Sequence, residues 1–364
     1  MSEVRLINLQ KKYDGTVAVD DLSLEVKNGE FVVLLGPSGC GKTTTLRCIA
    51  GLETADQGDI IIDGNMVNDL RPKERDVAMV FQNYALYPHM TVFENIAYPL
   101  RMRKMPKDKI EDQVKEIAER LNISRFLLRR PRQLSGGEQQ RVALGRALVR
   151  RPKVFLMDEP LSNLDAKLRL VMRAELRRLQ DELKITTIYV THDQAEAMAL
   201  ADKVAVMKDG KLLQFDSPSN IYGRPSSVFV AGFIGNPPMN LMSARSTTTD
   251  GTVTIDAGLF TYKLPMNMTE KLGNNPIERE VLMGIRAEDL MISRKQAANS
   301  VFQAEISVLE NLGLHVVVDL KAESNFLKSV VPSSSDLQRG ITVWVGFDPS
   351  KIHLFDAKTE ESIL

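Results

Sequence analysis

Gly36-Pro37-Ser38-Gly39-Cys40-Gly41-Lys42-Thr43 is the stretch of this sequence best equipped for chemistry. Its glycines leave successive backbone N–H groups bare, so that they can converge on phosphate oxygens that a larger side chain would obstruct. At this spacing Lys42 reaches the β- and γ-phosphates of a nucleotide, and the Thr43 hydroxyl is placed to ligate Mg²⁺. Thr44 follows in the same turn and completes the expected nucleotide-binding loop. A second stretch, Val154-Phe155-Leu156-Met157-Asp158-Glu159, is four apolar residues ending in two carboxylates. A buried strand of this kind delivers Asp158 to the metal and sets Glu159 beside it as general base toward an attacking water. A third, Leu134-Ser135-Gly136-Gly137-Glu138-Gln139, has capping-box spacing between Ser135 and Glu138. Gly136 and Gly137 leave bare N–H groups at the start of a helix that runs to about Val149, which makes an anion site. Taken alone, this third stretch reads as an ordinary capped helix.

These groups need a scaffold. Phe31 to Leu35 is a continuous apolar run, as expected of a strand buried on both faces, and a helix follows the glycine loop from about Lys42 to Gly51. Upstream, Val17, Val19, Leu22, Leu24 and Val26 are separated by polar residues, and Asn28-Gly29 signals a tight turn. Ile110, Val114, Ile117 and Leu121 recur at helical spacing, as do Leu168, Met172, Leu176, Leu179 and Leu183. Ile188-Tyr189-Val190 and Val204-Ala205-Val206 read as further strands. Strands alternating with amphipathic helices predict an α/β fold with a largely parallel sheet, the P-loop NTPase arrangement. Near Gly235-Asn236-Pro237-Pro238 the texture changes. Short alternating runs such as Val253/Ile255, Ile306/Val308, Val316/Val318 and Val343/Val345 predict a small all-β barrel or sandwich, with Arg245 to Gly251 as a surface turn. The expected domains are therefore 1–235, with a helical insert at about 83–150, and 236–364.

In their order along the chain the motifs resemble those of ABC transporter ATPases. The resemblance implies that the helix start at Ser135, Gly136, Gly137 and Glu138 is the family signature. It would act in trans, closing over ATP held by the phosphate loop of a second copy, so that two ATP molecules are sandwiched in a head-to-tail homodimer. Gln82, in Val80-Phe81-Gln82, matches the glutamine that senses the γ-phosphate and Mg²⁺. Asp165, in Ser162-Asn163-Leu164-Asp165, matches the loop that contacts the partner subunit. His192, in Val190-Thr191-His192-Asp193, matches the switch histidine, and Tyr13 stands where the family stacks an aromatic ring on adenine. By resemblance the catalytic set is Lys42, Gln82, Glu159 and His192, and the Mg²⁺ ligands are Thr43, Gln82 and Asp158.

The likeness extends beyond the ATPase core. Arg75 to Val92, Leu161 to Arg169 and Gly232 to Pro237 are similar to segments of maltose-type sugar importers, and Met283-Gly284-Ile285-Arg286-Ala287-Glu288-Asp289-Leu290 resembles their tail motif. Close relatives often carry Pro and His where Ala287 and Asp289 stand. An OB-like tail is thus implied, one that stabilises the dimer and can carry regulation. So are transmembrane permease subunits, seated in a groove near Ala85, Leu86, Tyr87 and Met90, and, indirectly, an extracytoplasmic solute-binding protein. The implied cofactors are ATP and Mg²⁺, and the implied location is the cytoplasmic face of the cell membrane.

The bulk composition agrees with this reading. With 47 basic and 47 acidic residues among 364, the chain lacks the basic excess of a general nucleic-acid binder. Its two cysteines, Cys40 and Cys48, form no disulfide framework, and neither a signal peptide nor a membrane span is expected. A soluble ABC ATPase acting on nucleic acid is the rival from another class, disfavoured by the charge balance and by the lack of sustained heptads between Lys42 and Asp158. A P-loop kinase or GTPase would leave Ser135 and His192 unexplained. Among transported solutes, sugars are favoured over polyamines, metal ions and other small solutes.

Overall fold

This computed structural model describes residues 2–249, 252–266, 269 and 279–363. The chain divides into two compact units, Met1–Ser219 and Asn220–Leu364.

The first unit opens on two antiparallel strands, β1 (Val4–Tyr13) and β2 (Thr16–Val26). Then come β3 (Phe31–Leu35), α1 (Lys42–Ala50), β4 (Gln57–Ile62), the two-residue β5 (Asn65–Met66) and β6 (Val77–Val80). The helical insert holds α2 (Val92–Met102), α3 (Lys107–Arg120) and α4 (Gly136–Leu148). The unit continues through β7 (Val154–Asp158), α5 (Ala166–Leu183), β8 (Thr186–Thr191), α6 (Gln194–Leu200), β9 (Lys203–Lys208) and β10 (Lys211–Asp216). The main sheet has the order β10-β9-β3-β8-β7-β6. All its pairings are parallel except that of β10 with β9. Every residue of β3, β7 and β8 is buried, which is why β3 and β7 as far as Met157 read as unbroken apolar runs rather than alternating ones; β8 carries Thr186, Thr187 and Thr191 around an apolar centre. The second sheet, β2-β1-β4-β5, shares one core with the first. Leu46, Cys48 and Ile49 of α1 pack in that same core, so the helix behind the glycine loop is anchored along its length.

The helix starts in the insert follow local chemistry. Thr91 and Glu94 form a capping box on α2, and Ser135 and Glu138 form the expected one on α4. Asn95 is fully buried, and its amide donates to the carbonyls of Tyr87, Met90 and Thr91 while accepting from the Tyr87 N–H, which pins the turn ahead of α2.

A short helix, α7 (Pro218–Gly223), spans the division between the units, and α8 (Val228–Phe233) follows. The second unit thus takes in helix ahead of residue 236, where the sequence changes texture. Ala231 of α8 belongs to a small core with Met239 and Phe355 of the β-rich part. That part holds β11 (Asn240–Thr249), β12 (Thr252–Asp256), β13 (Thr261–Lys263), β14 (Arg279–Ile285) and β15 (Leu290–Ser293). It ends with β16 (Ser300–Asn311), β17 (His315–Ala322), β18 (Asn325–Pro332), β19 (Thr342–Phe347) and β20 (His353–Asp356). Two antiparallel five-stranded sheets, β13-β12-β11-β14-β20 and β15-β19-β16-β17-β18, enclose one apolar core, which is the expected all-β tail. The surface turn expected at 245–251 is instead mostly strand, because β11 runs on to Thr249 and pairs with β12; Asp250 and Gly251 lie outside the described residues. Arg286, only 2% exposed, donates to the carbonyls of Tyr222, Ala231 and Ile234 and lies over the Tyr222 ring, fastening α7 and α8 to this unit.

Candidate functional site

Four neighbouring parallel strands, β3, β8, β7 and β6, end on the same edge of the main sheet. Their C-terminal ends carry Gly36 to Thr43, His192, Asp158-Glu159 and Gln82 in turn. Open α/β sheets bind ligands at this edge, because the loops there converge without a following strand to close the space.

The phosphate loop is held from below. Gly41 has φ +100°, and a Cβ there would stand 2.3 Å from the Ala18 carbonyl oxygen, so only glycine fits. Gly39, at φ +81°, would meet nothing within 4 Å, so that side of the loop faces open space. Lys42 is buried to 5% exposure, and its Nζ donates to the carbonyls of Gly36 and Pro37, each at 2.8 Å. Cys40 Sγ lies 3.7 Å from the same nitrogen, and burial pushes its thiol up while the Lys42 charge opposes the shift. The Tyr13 ring is 40% exposed, and Lys11 Nζ lies over it at 5.2 Å from the ring centroid.

Thr43 Oγ1 donates to Asp158 Oδ1 at 2.9 Å. Burial pushes the Asp158 carboxyl up, and this hydrogen bond pulls it back. A hydroxyl and a carboxylate oxygen side by side, next to a loop open to phosphates, are the hard oxygen donors that Mg²⁺ takes when it shares a site with a nucleotide. The residues present therefore fit Mg²⁺ and a nucleoside triphosphate.

Glu159 adopts φ 44°, a left-handed conformation that costs a non-glycine residue about 1 kcal/mol or more. The N–H of Glu159 donates to the Val190 carbonyl of the neighbouring strand at 3.0 Å, which holds the bend. The bend turns the carboxylate toward two polar groups. His192 Nδ1 stands 3.1 Å from Oε1, and Gln82 Nε2 donates to Oε2 at 3.4 Å. Gln82 Nε2 also donates to Ser162 Oγ, Ser162 Oγ donates to the Glu159 carbonyl, and Asn163 Nδ2 donates to the Gln82 carbonyl. Gln82, expected as a metal ligand, thus directs its amide N–H to Glu159 and Ser162.

The remaining expected residues sit at the starts of α4 and α5. Asp165 caps α5 by accepting from the Leu168 N–H. Ser135 caps α4, and Gly136 and Gly137 pack against Leu164 and Leu168 side chains. Among the described residues no hydrogen bond joins Ser135, Gly136, Gly137 or Glu138 to the phosphate loop of the same chain. Their face of α4 presents N–H groups at a helix start with nothing of this loop to bind.

Beside Gln82 runs a groove of about 360 Å³, with Leu52, Phe81, Ala85, Tyr87, Tyr98 and Arg146 among its walls. Leu86 and Met90, expected there from the sequence, are not among them. Sequence reasoning passed over Arg146, which donates to the carbonyls of Tyr84 and Ala85, two successive residues at positive φ. Arg169 was also missed. Each is an arginine on an amphipathic helix and looks, in sequence, like part of a solvated face.

Comparisons with known proteins agree with this geometry. Residues 19–162 match the ABC transporter family, 235–290 the MalK OB fold domain and 283–355 the TOBE domain. The trehalose/maltose import ATP-binding protein MalK of Thermococcus litoralis is 51% identical over 374 residues, spanning 100% of both chains. The oligosaccharides import ATP-binding protein MsmX of Bacillus subtilis is 48% identical over 368 residues, again spanning 100% of both. Among solved structures, the dimeric post-hydrolysis state of the ATP-binding cassette MJ0796 bound to ADP and Pi superposes with TM-score 0.54 at 34% identity, covering 59% of this chain and 98% of that one. The glycine loop, the carboxylates beside it and full-length relatives at about half identity lead to one assignment: this chain belongs to the ATP-binding subunits of the ABC transporter family, of the kind that carries a MalK-type OB tail.

Proposed function

We propose that two copies of this chain bind two ATP molecules head to tail and hydrolyse them to power import of a sugar through separate transmembrane subunits. Tyr13 would stack on the adenine. The backbone from Gly36 to Thr44, with Lys42, would hold the phosphates, and Thr43, Asp158 and Gln82 would hold Mg²⁺. When bound, that ion supplies charge neutralisation on the phosphate oxygens. Glu159 accepts the proton of the water that attacks the γ-phosphorus in line, while His192 and Gln82 orient its carboxylate and sense the γ-phosphate. Ser135, Gly136, Gly137 and Glu138 of the second copy complete the site with helix N-terminal N–H groups, and Asp165 contacts that copy.

Closure would be driven by ATP binding across the interface, and the groove beside Gln82 would receive the permease. An extracytoplasmic binding protein would deliver the solute to that permease. Among the described residues no helix is long and apolar enough to cross a membrane, so attachment at the cytoplasmic face would run through the permease. The choice of sugar over polyamine or metal ion rests on the two full-length relatives, both named for sugar import.

The observation that carries the proposal is the convergence of four strand ends on one cluster while, among the described residues, the helix start at Ser135 makes no hydrogen bond to the phosphate loop of the same chain. The test is Mg²⁺-dependent ATP hydrolysis by the purified chain against its own concentration. A rate that rises more steeply than linearly supports a dimeric site; a strictly linear rate down to nanomolar chain refutes it.

A further inference from the structure

We propose that Arg169 is a positioning residue that couples the Ser162–Asp165 loop to His192, an inference that rests on the role given to His192 above. His192 has little else to hold it. Its side chain is 58% exposed and its polar contact among the described residues is Glu159, so its aim depends on how its two chain neighbours are anchored. Both neighbours are anchored, and both anchors lead to Arg169.

Asp193, on one side, accepts from Arg169 Nη1 at 3.3 Å. Thr191, on the other, donates through Oγ1 to Glu196 Oε2 at 2.8 Å and accepts from the Asp193 N–H at 3.0 Å. Glu196 is 2% exposed; Tyr189 donates to the same Oε2 at 2.7 Å, and Arg169 Nε stands 3.9 Å from Oε1. Burial pushes the Glu196 carboxyl up; the hydroxyls of Tyr189 and Thr191 oppose that shift most, and the Arg169 charge adds to them. The other end of the guanidinium faces the loop before α5, where Nη2 donates to the carbonyls of Leu164 at 3.1 Å and Ser162 at 3.4 Å.

Ser162 in turn bonds the Glu159 carbonyl and Gln82. Arg169 is therefore the one side chain, among the described residues, that bonds both this loop and the strand-end turn bearing His192. Asp165 lies on the loop that the second copy would touch. A shift of that loop on docking is carried by the planar guanidinium to both neighbours of His192, so arrival of the second copy sets the histidine against Glu159. A salt bridge that merely packs α5 on α6 would need no bonds to the Ser162 and Leu164 carbonyls.

The test uses the full-length chain with MgATP and two backgrounds, parent and His192→Ala. Arg169→Met is expected to lower kcat about tenfold or more, since small misplacements of reacting groups are expensive, and to leave KM within about twofold. Arg169→Lys, which keeps the charge but not the fork, is expected to recover part of the loss. In the His192→Ala background Arg169→Met should add less than about a twofold further loss, because the residue it acts through is gone. Asp193→Asn keeps the cap on α6 and weakens the pair with Arg169, and it should show the same dependence on His192 even where the Met variant fails to fold. Equal losses in both backgrounds, or a raised KM with unchanged kcat, overturn the coupling. An His192→Ala chain as active as the parent refutes the role of His192 itself, a separate outcome read from that variant alone.

Discussion

Glu159→Gln separates binding from chemistry. The replacement keeps the shape of the side chain, so the packing around a group with about a fifth of its side-chain surface exposed is undisturbed. Its amide oxygen can still accept from Gln82, now 3.4 Å away, while the amide nitrogen faces His192. What disappears is the negative charge and the capacity to take a proton. Removing a positioned general base lowers turnover by about 10²- to 10⁴-fold, or roughly 3–5 kcal/mol of barrier. Lys42, Thr43, Asp158 and the glycine loop are untouched, so ATP affinity should stay within a few-fold of the parent. With closure intact and hydrolysis blocked, ATP should accumulate between two copies. Single-turnover hydrolysis and light scattering with MgATP read the two effects independently. Turnover within about threefold of the parent would refute the assignment of Glu159 as base. Slow turnover with no ATP-dependent dimer would leave the base in place but remove the sandwich.

Three further outcomes test the structural account. Gly41→Ala would drive a methyl group into the Ala18 carbonyl at a left-handed position and should cost about 3 kcal/mol or more together with ATP binding, whereas Gly39→Ala, which meets no atom, should cost only about 1–2 kcal/mol; denaturant midpoints and nucleotide titration distinguish them. In the second unit, burial first, then the charges of Arg286 and Lys351, hold His353 down to about 4. The unfolded chain therefore binds a proton that the folded one refuses, so stability is complete above pH 6.5 and falls as pH drops toward 4. His353→Phe should reduce that acid-side loss by about 2 kcal/mol, allowing for partial exposure, in chemical denaturation at pH 7 and 4.5. Arg286→Met leaves the carbonyls of Tyr222, Ala231 and Ile234 without their donor and should cost about 2–4 kcal/mol, seen as faster hydrogen exchange across residues 222–234.

Much of the ATPase unit is legible because its signals are local. Unbroken apolar runs announce β3 and β7, the short run Ile188-Tyr189-Val190 announces β8, glycine spacing announces the loop before α1, and Ser135 with Glu138 announces the start of α4. Each depends on residues within a few positions of one another. Arg146 and Arg169 act through contacts with distant chain, and an arginine on a helix looks the same in sequence whether it grips a carbonyl or faces water. The left-handed backbone at Tyr84, Ala85 and Glu159 is equally silent, since nothing in those side chains asks for it. In the tail, alternation shows that strands exist, but the pairing of β14 with β20 and of β16 with β19 is set by long-range closure of the sheets.

The central claim is that each ATP is held by the phosphate loop of one copy and the signature of the other. Two inactive chains, Lys42→Ala and Ser135→Arg, each placed in the Glu159→Gln background, test it when mixed. In a mixed dimer one site unites an intact Lys42 with an intact Ser135, and the other carries both lesions. Retention of labelled ATP should then rise from near zero in either chain alone to about a quarter of that of the unmodified background at equal mixing, as random pairing of two-fold dimers requires. No recovery at any mixing ratio, with dimers demonstrably formed, would place the signature and the phosphate loop in the same copy and contradict the account.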